Sequence, residues 1–104
     1  MERVAFKMRL FPGNVAEYKR RHDELWPDVA QALREAGVRD YSIFHDPETN
    51  VLFATLVRVP NHTMDQLPKH PAVRRWWDYM HPLMQTHPDN EPVSNPLTCV
   101  FQFT

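Results

Sequence analysis

Val4-Ala5-Phe6-Lys7-Met8-Arg9-Leu10-Phe11-Pro12-Gly13-Asn14-Val15-Ala16-Glu17-Tyr18-Lys19-Arg20-Arg21-His22 contains the change of rhythm from which the fold is read. In its first half Val4, Phe6, Met8 and Leu10 alternate with Lys7 and Arg9, the two-residue period of a half-buried strand. Pro12-Gly13 ends that strand. Asn14 then stands where a helix N-cap is expected, and Glu17 three residues later completes a capping-box pattern. From there Val15, Tyr18, His22, Leu25, Val29 and Leu33 recur at steps of three and four, with Ala32 and Ala36 beside them. That spacing is one face of a helix, and Glu17, Arg20, Arg21, Glu24, Asp28 and Arg34 make the opposite one. Pro27 falls inside the pattern and predicts a kink or a split near Trp26. Gly37 closes the element as a C-terminal cap.

Outward from this unit the pattern repeats. Residues 40–45 read as a second strand, and Asp46-Pro47-Glu48-Thr49-Asn50 as the turn after it. Residues 51–59, rich in β-branched and aromatic side chains, read as a third strand, so an antiparallel hairpin is expected. Pro60 ends it, and residues 61–69 allow one short helical turn. Pro71 suits the first position of another helix, in which Val73, Trp77, Met80 and Met84 follow at steps of four, three and four. Trp76 and Leu83 widen that face, and Pro82 with the loop from His87 to Pro92 terminates it. Leu97, Cys99, Phe101 and Phe103 alternate with Thr98, Gln102 and Thr104, which predicts a final strand. The order is βαββαβ, an α+β fold of ferredoxin-like type formed by residues 1–104 as one domain. Helices on one sheet face leave the other face open. An apolar open face needs a partner, and two domains packed sheet to sheet, a dimeric α+β barrel, is the simplest answer.

Composition limits the function classes. At 104 residues the chain builds one modest core, which dimerisation would help. The net charge of -1, with Lys19-Arg20-Arg21 as the longest cationic run, argues against nucleic acid as a partner. Cys99 stands alone, so no intramolecular disulfide is expected. No stretch approaches the ~20 apolar residues of a membrane span, and Met1-Glu2-Arg3-Val4 is followed by no signal-like apolar run, so the cytoplasm is the expected compartment. The six histidines show no metal-binding spacing, and with only Gly13 and Gly37 there is no phosphate-cradling loop. No metal and no cofactor are expected, and side chains must run any chemistry.

Four places carry candidate chemistry. His22 lies on the apolar stripe four residues after Tyr18, so their side chains are neighbours. Histidine gives and takes protons near neutral pH; the competing reading is a core histidine satisfied by a tyrosine hydroxyl. Trp76 and Trp77, about 100° apart on a helix, cannot both face the core centre, which fits either a sugar-binding wall or one core ring beside one half-exposed ring. Tyr41 offers a hydroxyl at the sheet edge or ordinary cross-strand packing. Asp89-Asn90 reads as a turn.

Taken together, Tyr18-Lys19-Arg20-Arg21-His22-Asp23-Glu24-Leu25-Trp26-Pro27, Asp40-Tyr41-Ser42-Ile43, Arg75-Trp76-Trp77-Asp78-Tyr79-Met80 and Pro88-Asp89-Asn90-Glu91-Pro92-Val93-Ser94 resemble the L-rhamnose mutarotase family over almost the whole chain. The resemblance implies a homodimeric α+β barrel without metal or cofactor that interconverts the α and β anomers of L-rhamnopyranose. It matches His22 to the family's proton-donating histidine, and Tyr18, Tyr41, Trp76 and Trp77 to substrate-contacting positions. Two departures, His87 and the Phe103-Thr104 terminus, lie outside those positions. On this reading His22 acts as imidazolium on the ring oxygen, and activity falls as pH rises. The rival readings are a cofactor-free oxygenase on the same barrel and a non-catalytic sugar-binding module, because a fold does not fix a function.

Overall fold

The computed structural model describes residues 1–104. Its elements are β1 (Glu2–Arg9), α1 (Val15–Asp23), α2 (Pro27–Glu35), β2 (Val38–His45), β3 (Val51–Arg58), α3 (Pro71–Met80) and β4 (Asn95–Leu97), with short 3-10 turns at Met64–Lys69 and His81–Leu83. The sheet runs β2-β3-β1-β4 and every neighbouring pair is antiparallel, as a βαββαβ chain requires. No helix is long and apolar enough to cross a membrane.

The alternation in β1 does what the sequence expects. Val4, Phe6 and Met8 stand opposite Leu56, Ala54 and Leu52 of β3, and this row faces the helices. Leu52, Ala54 and Leu56 are essentially sealed, at no more than 1% exposure each, which makes β3 the spine of the core. Pro27 splits the first helix cleanly. It occupies the first position of α2, and Trp26 before it takes an extended conformation with φ -64° and ψ 135°, as a residue preceding proline favours. Gly37 follows α2 at φ +92°.

Three expectations are corrected. Asn14 makes no side-chain cap on α1; its amide instead donates toward the Leu83 carbonyl. Glu17 is occupied by Arg20 and Arg21, whose guanidinium groups hold its carboxyl down to about 2, so the capping box does not form. The last strand is short: only Asn95, Pro96 and Leu97 pair, opposite Lys7, Phe6 and Ala5. With Leu97 opposite Ala5, β1 has only its first few residues left to offer, and a lone alternating segment without an edge or a core has nothing to hold it as a strand. Residues 98–104 therefore run free of the sheet, with Phe103 88% exposed.

The sheet face away from the helices is open, as the pattern expects. Phe44 and Phe53 are directly paired across β2 and β3 on that face, and Phe44 is 64% exposed.

Candidate active site

The helix-facing side of β2 and the inner side of α1 enclose a cleft of about 630 Å³, lined mostly by apolar side chains. That is within the range of small-molecule sites. It gathers Tyr18 and His22 from α1, Tyr41 from β2, and Trp76 and Trp77 from α3, so all five residues singled out in the sequence meet in one place.

The i to i+4 spacing brings the Tyr18 and His22 rings to 4.3 Å between centroids, and the Trp76 indole meets His22 edge-on at 5.4 Å and 88°. His22 Nδ1 lies 3.0 Å from the Tyr18 carbonyl oxygen. A carbonyl only accepts, so Nδ1 carries the hydrogen, and the neutral ring presents Nε2 as a bare lone pair. Burial lowers the His22 pKa; the Tyr18 carbonyl and the charge of Asp23 offset this only in part. Asp23 is itself paired with Lys19 at 2.8 Å. Near neutral pH the free site therefore favours the neutral His22 ring, with Nε2 as an acceptor.

Tyr18 is buried at its backbone and ring, and burial pushes its hydroxyl well above the usual phenol range, with Tyr41 adding to the shift. Burial raises Tyr41 to about 12, although the residue remains 38% exposed. The two facts are compatible when the hydroxyl is crowded by the cleft and the ring flank is open. Both phenols stay protonated and can donate. Neither hydroxyl, nor His22 Nε2, nor either indole N–H has a partner within the protein, while no side-chain polar atom is sealed off without one. Tyr18, His22, Trp76 and Trp77 thus each hold an accessible polar atom without a protein partner in one apolar cleft, the usual arrangement for orienting a small polar ligand.

Tyr41 reaches the cleft through a bulge. Arg39 pairs with Val57 and Ser42 with Thr55, so Asp40 and Tyr41 together oppose Leu56 alone. Asp40 absorbs the extra residue at φ +48°, a conformation that aspartate tolerates better than most. Without it Val38 and Tyr41 would point to opposite faces. Trp76 and Trp77 divide into one core ring and one half-buried ring, as one of the two sequence readings has it, but with Trp76 rather than Trp77 at the centre of the stripe. Trp76, with Val73 and Met80, is at the centre of the buried stripe, while Trp77 lies half-buried at its side with Arg74 over its ring at 5.3 Å.

The sequence reading missed His45, which lines the same cleft and donates from Nε2 to the Asn50 side-chain oxygen at 3.1 Å. The signal was available: Tyr41, Ile43 and His45 share one face of β2. The Asp89-Asn90 loop is a turn fastened to α3, with Asn90 bonded to Asp78 at 2.9 Å and Asp89 paired with Arg74. It contributes nothing to the cleft lining.

A small α+β domain whose apolar cleft carries neutral donors and a histidine suits a small uncharged ligand with polar groups, and holds a side chain able to transfer a proton. Comparison with known proteins narrows this class. Residues 3–103 match the family model described as L-rhamnose mutarotase, and the chain belongs to that family. An L-rhamnose mutarotase of Jannaschia sp. is 56% identical over 97% of both chains, and one of Sinorhizobium fredii is 52% identical over the full length of both. The crystal structure of an L-rhamnose mutarotase from Formosa agariphila superposes with a TM-score of 0.92 at 47% identity, covering all of both chains. These relatives favour neither an oxygenase nor a passive binding module.

Proposed function

We propose that this chain is an isomerase that interconverts the α and β anomers of L-rhamnopyranose, with His22 moving the proton and Tyr18, Tyr41, Trp76 and Trp77 holding the sugar. The observation that supports this reading best is the bare Nε2 of His22 in an apolar cleft beside two protonated phenols. Ring opening moves one proton from the anomeric hydroxyl to the ring oxygen, two atoms joined to the same carbon. Nε2 takes the hydroxyl proton as the carbon–ring oxygen bond breaks and the carbonyl forms. The imidazolium so made then donates to the ring oxygen. Rotation of the aldehyde and the same steps in reverse close the ring on the other face and return His22 to its neutral form. The phenols stabilise oxygen charge by hydrogen bonding, and the indoles cover the C–H faces of the sugar.

Saturation transfer between the two anomeric proton signals of L-rhamnose tests the reading directly. Exchange should accelerate with catalytic amounts of protein; well-folded protein that leaves exchange at its spontaneous rate would remove the proposal. Activity should hold level from about pH 7 to 9, because neutral His22 is the starting form. It should fall on the acid side, with a midpoint below the ordinary histidine value of about 6.5. Burial sets this limb, opposed by the Tyr18 carbonyl and the charge of Asp23; the other titratable side chains lining the cleft besides the two tyrosines are Lys19, paired with Asp23, and His45 on β2. Loss of activity between pH 7 and 9 would instead restore the imidazolium as the starting form.

The same reading pairs two copies through the open sheet face around Phe44 and Phe53. The protein should sediment at twice its chain mass of 12.4 kDa, and Phe53→Lys should shift it to the mass of one chain. A wild-type protein of one-chain mass would end the dimer proposal.

A further inference from the structure

A closed circuit of planar side chains surrounds the back of the cleft, and most of its members do not line it. It starts at Arg21, whose guanidinium lies 4.1 Å from the centroid of the Tyr79 ring. Arg21 is fixed there from both ends, by Glu17 at 2.7 Å and by the Tyr79 carbonyl. Tyr79 stacks on Trp26 at 5.2 Å and 28°. Trp26 meets Trp76 edge-on at 5.1 Å and 83°, and Trp76 meets His22 edge-on at 5.4 Å and 88°. His22 is the chain neighbour of Arg21, so the circuit returns to α1 where it began.

The sequence arranges this by position. Arg21 and His22 sit on adjacent faces of one helical turn. Tyr79 and Trp76 are three apart on α3 and share a side. Trp26 is held out of both α1 and α2 by Pro27 in an extended conformation, and its indole meets Trp76 and Tyr79 of α3.

We infer that Arg21, Tyr79 and Trp26 are positioning residues, which set the tilt of Trp76 and through it the orientation of the His22 ring toward the sugar. The inference rests on the mutarotase reading for its kinetic consequence, though not for its geometry. Edge-to-face and cation–π contacts depend on angle as well as distance, so each member restrains the plane of the next. His22 is then held on two sides: its Nδ1 by the Tyr18 carbonyl, its ring plane by Trp76. Loss of Tyr79 would leave Trp26 without its stacking partner and Arg21 without its platform. Trp76 would gain freedom to tilt, at the expense of both sugar contact and His22 aim.

The decisive comparison is Tyr79→Leu against Tyr79→Phe, with Leu10→Ala as a control. Leu10 is buried but lies outside the cleft lining. KM and kcat for L-rhamnose anomer exchange are measured separately, well below each variant's Tm, with near-UV circular dichroism on the same samples. Tyr79→Leu should raise KM and lower kcat/KM by roughly three- to tenfold, the scale of one aromatic pair. It should also change the dichroism band that the perpendicular Trp26–Trp76 pair produces. Tyr79→Phe should restore both, since it keeps the ring, and Leu10→Ala should lower Tm while leaving KM alone. A folded Tyr79→Leu with wild-type KM, kcat and dichroism overturns the inference, as does a Leu10→Ala that shifts KM equally. If Tyr79→Leu does not fold, Arg21→Met replaces it, with a smaller rise in KM expected and no change overturning the inference. Wild-type protein without exchange activity would remove the mutarotase reading instead, and the dichroism comparison would still decide the geometry.

Discussion

His22→Asn is expected to slow protein-catalysed anomer exchange of L-rhamnose by roughly 10²–10⁴-fold, the usual contribution of one positioned acid–base group. Asparagine suits the test because its amide N–H can replace Nδ1–H as donor to the Tyr18 carbonyl, 3.0 Å away in the wild type. The helix, the Tyr18 contact and the walls of the cleft then stay in place. What disappears is the lone pair at Nε2, an atom able both to take a proton and to return it. Sugar binding, followed by line broadening of the rhamnose signals or by calorimetry, should persist within a few-fold. Loss of rate with retained binding assigns the chemistry to the imidazole. A variant as fast as the wild type would move the proton transfer elsewhere, with His45 the next group to test, since it is the other imidazole lining the cleft.

Much of this site is legible in the amino-acid sequence because its central pair is local. Tyr18 and His22 are four apart on one helix, and helix geometry alone makes them neighbours. Strand alternation places Val4, Phe6, Met8 and Leu10 toward the core for the same reason: one buried face imposes one period. The bulge at Asp40 is not legible. An aspartate that takes φ +48° looks in sequence like any other aspartate, and the bulge exists only because β2 must pair with β3 while turning Tyr41 inward. The division of work between Trp76 and Trp77 depends on how α3 rolls against its neighbours, which a pair of adjacent indoles does not fix. The circuit through Arg21, Tyr79 and Trp26 joins α1, α3 and the connection between α1 and α2, so no short window of sequence contains it. The tail departs from expectation for a different reason. Its alternation from Leu97 to Phe103 is real, but a strand requires an edge, and within one chain there is almost none left to pair with. Phe101 and Phe103 of that alternation are accordingly exposed.

The two glycines allow the largest stability effect to be separated into its causes. Gly13 and Gly37 both have positive φ, +81° and +92°. A Cβ at Gly13 would meet nothing within 4 Å, so Gly13→Ala carries only the left-handed backbone penalty, about 1–2 kcal/mol. A Cβ at Gly37 would lie 2.5 Å from Val59 Cγ2 and 3.1 Å from His62 Cβ. Neither neighbour yields readily: valine is stiff at χ1, and His62 is close at its backbone as well, its Cα at 3.2 Å. Overpacking of this kind adds about 1–3 kcal/mol, so Gly37→Ala should lose about 2–5 kcal/mol in all. That is a large share of the ~5–15 kcal/mol that holds a typical domain together. Thermal unfolding at one fixed protein concentration should place Gly37→Ala well below Gly13→Ala, by roughly 4–8 °C for each additional kcal/mol. Equal Tm values would mean that Val59 swings aside and that the glycine serves only its dihedral angle. The strain would also reach the site. The Gly37 carbonyl accepts from Val59 at 3.0 Å and the Ala36 carbonyl from Thr63 at 2.9 Å, which fastens the end of α2 to the end of β3 just where β2 begins. Three residues on, the bulge at Asp40 turns Tyr41 into the cleft. A shift at Gly37 therefore moves the base of the strand that aims Tyr41, and the folded fraction of Gly37→Ala should show a raised KM that Gly13→Ala does not.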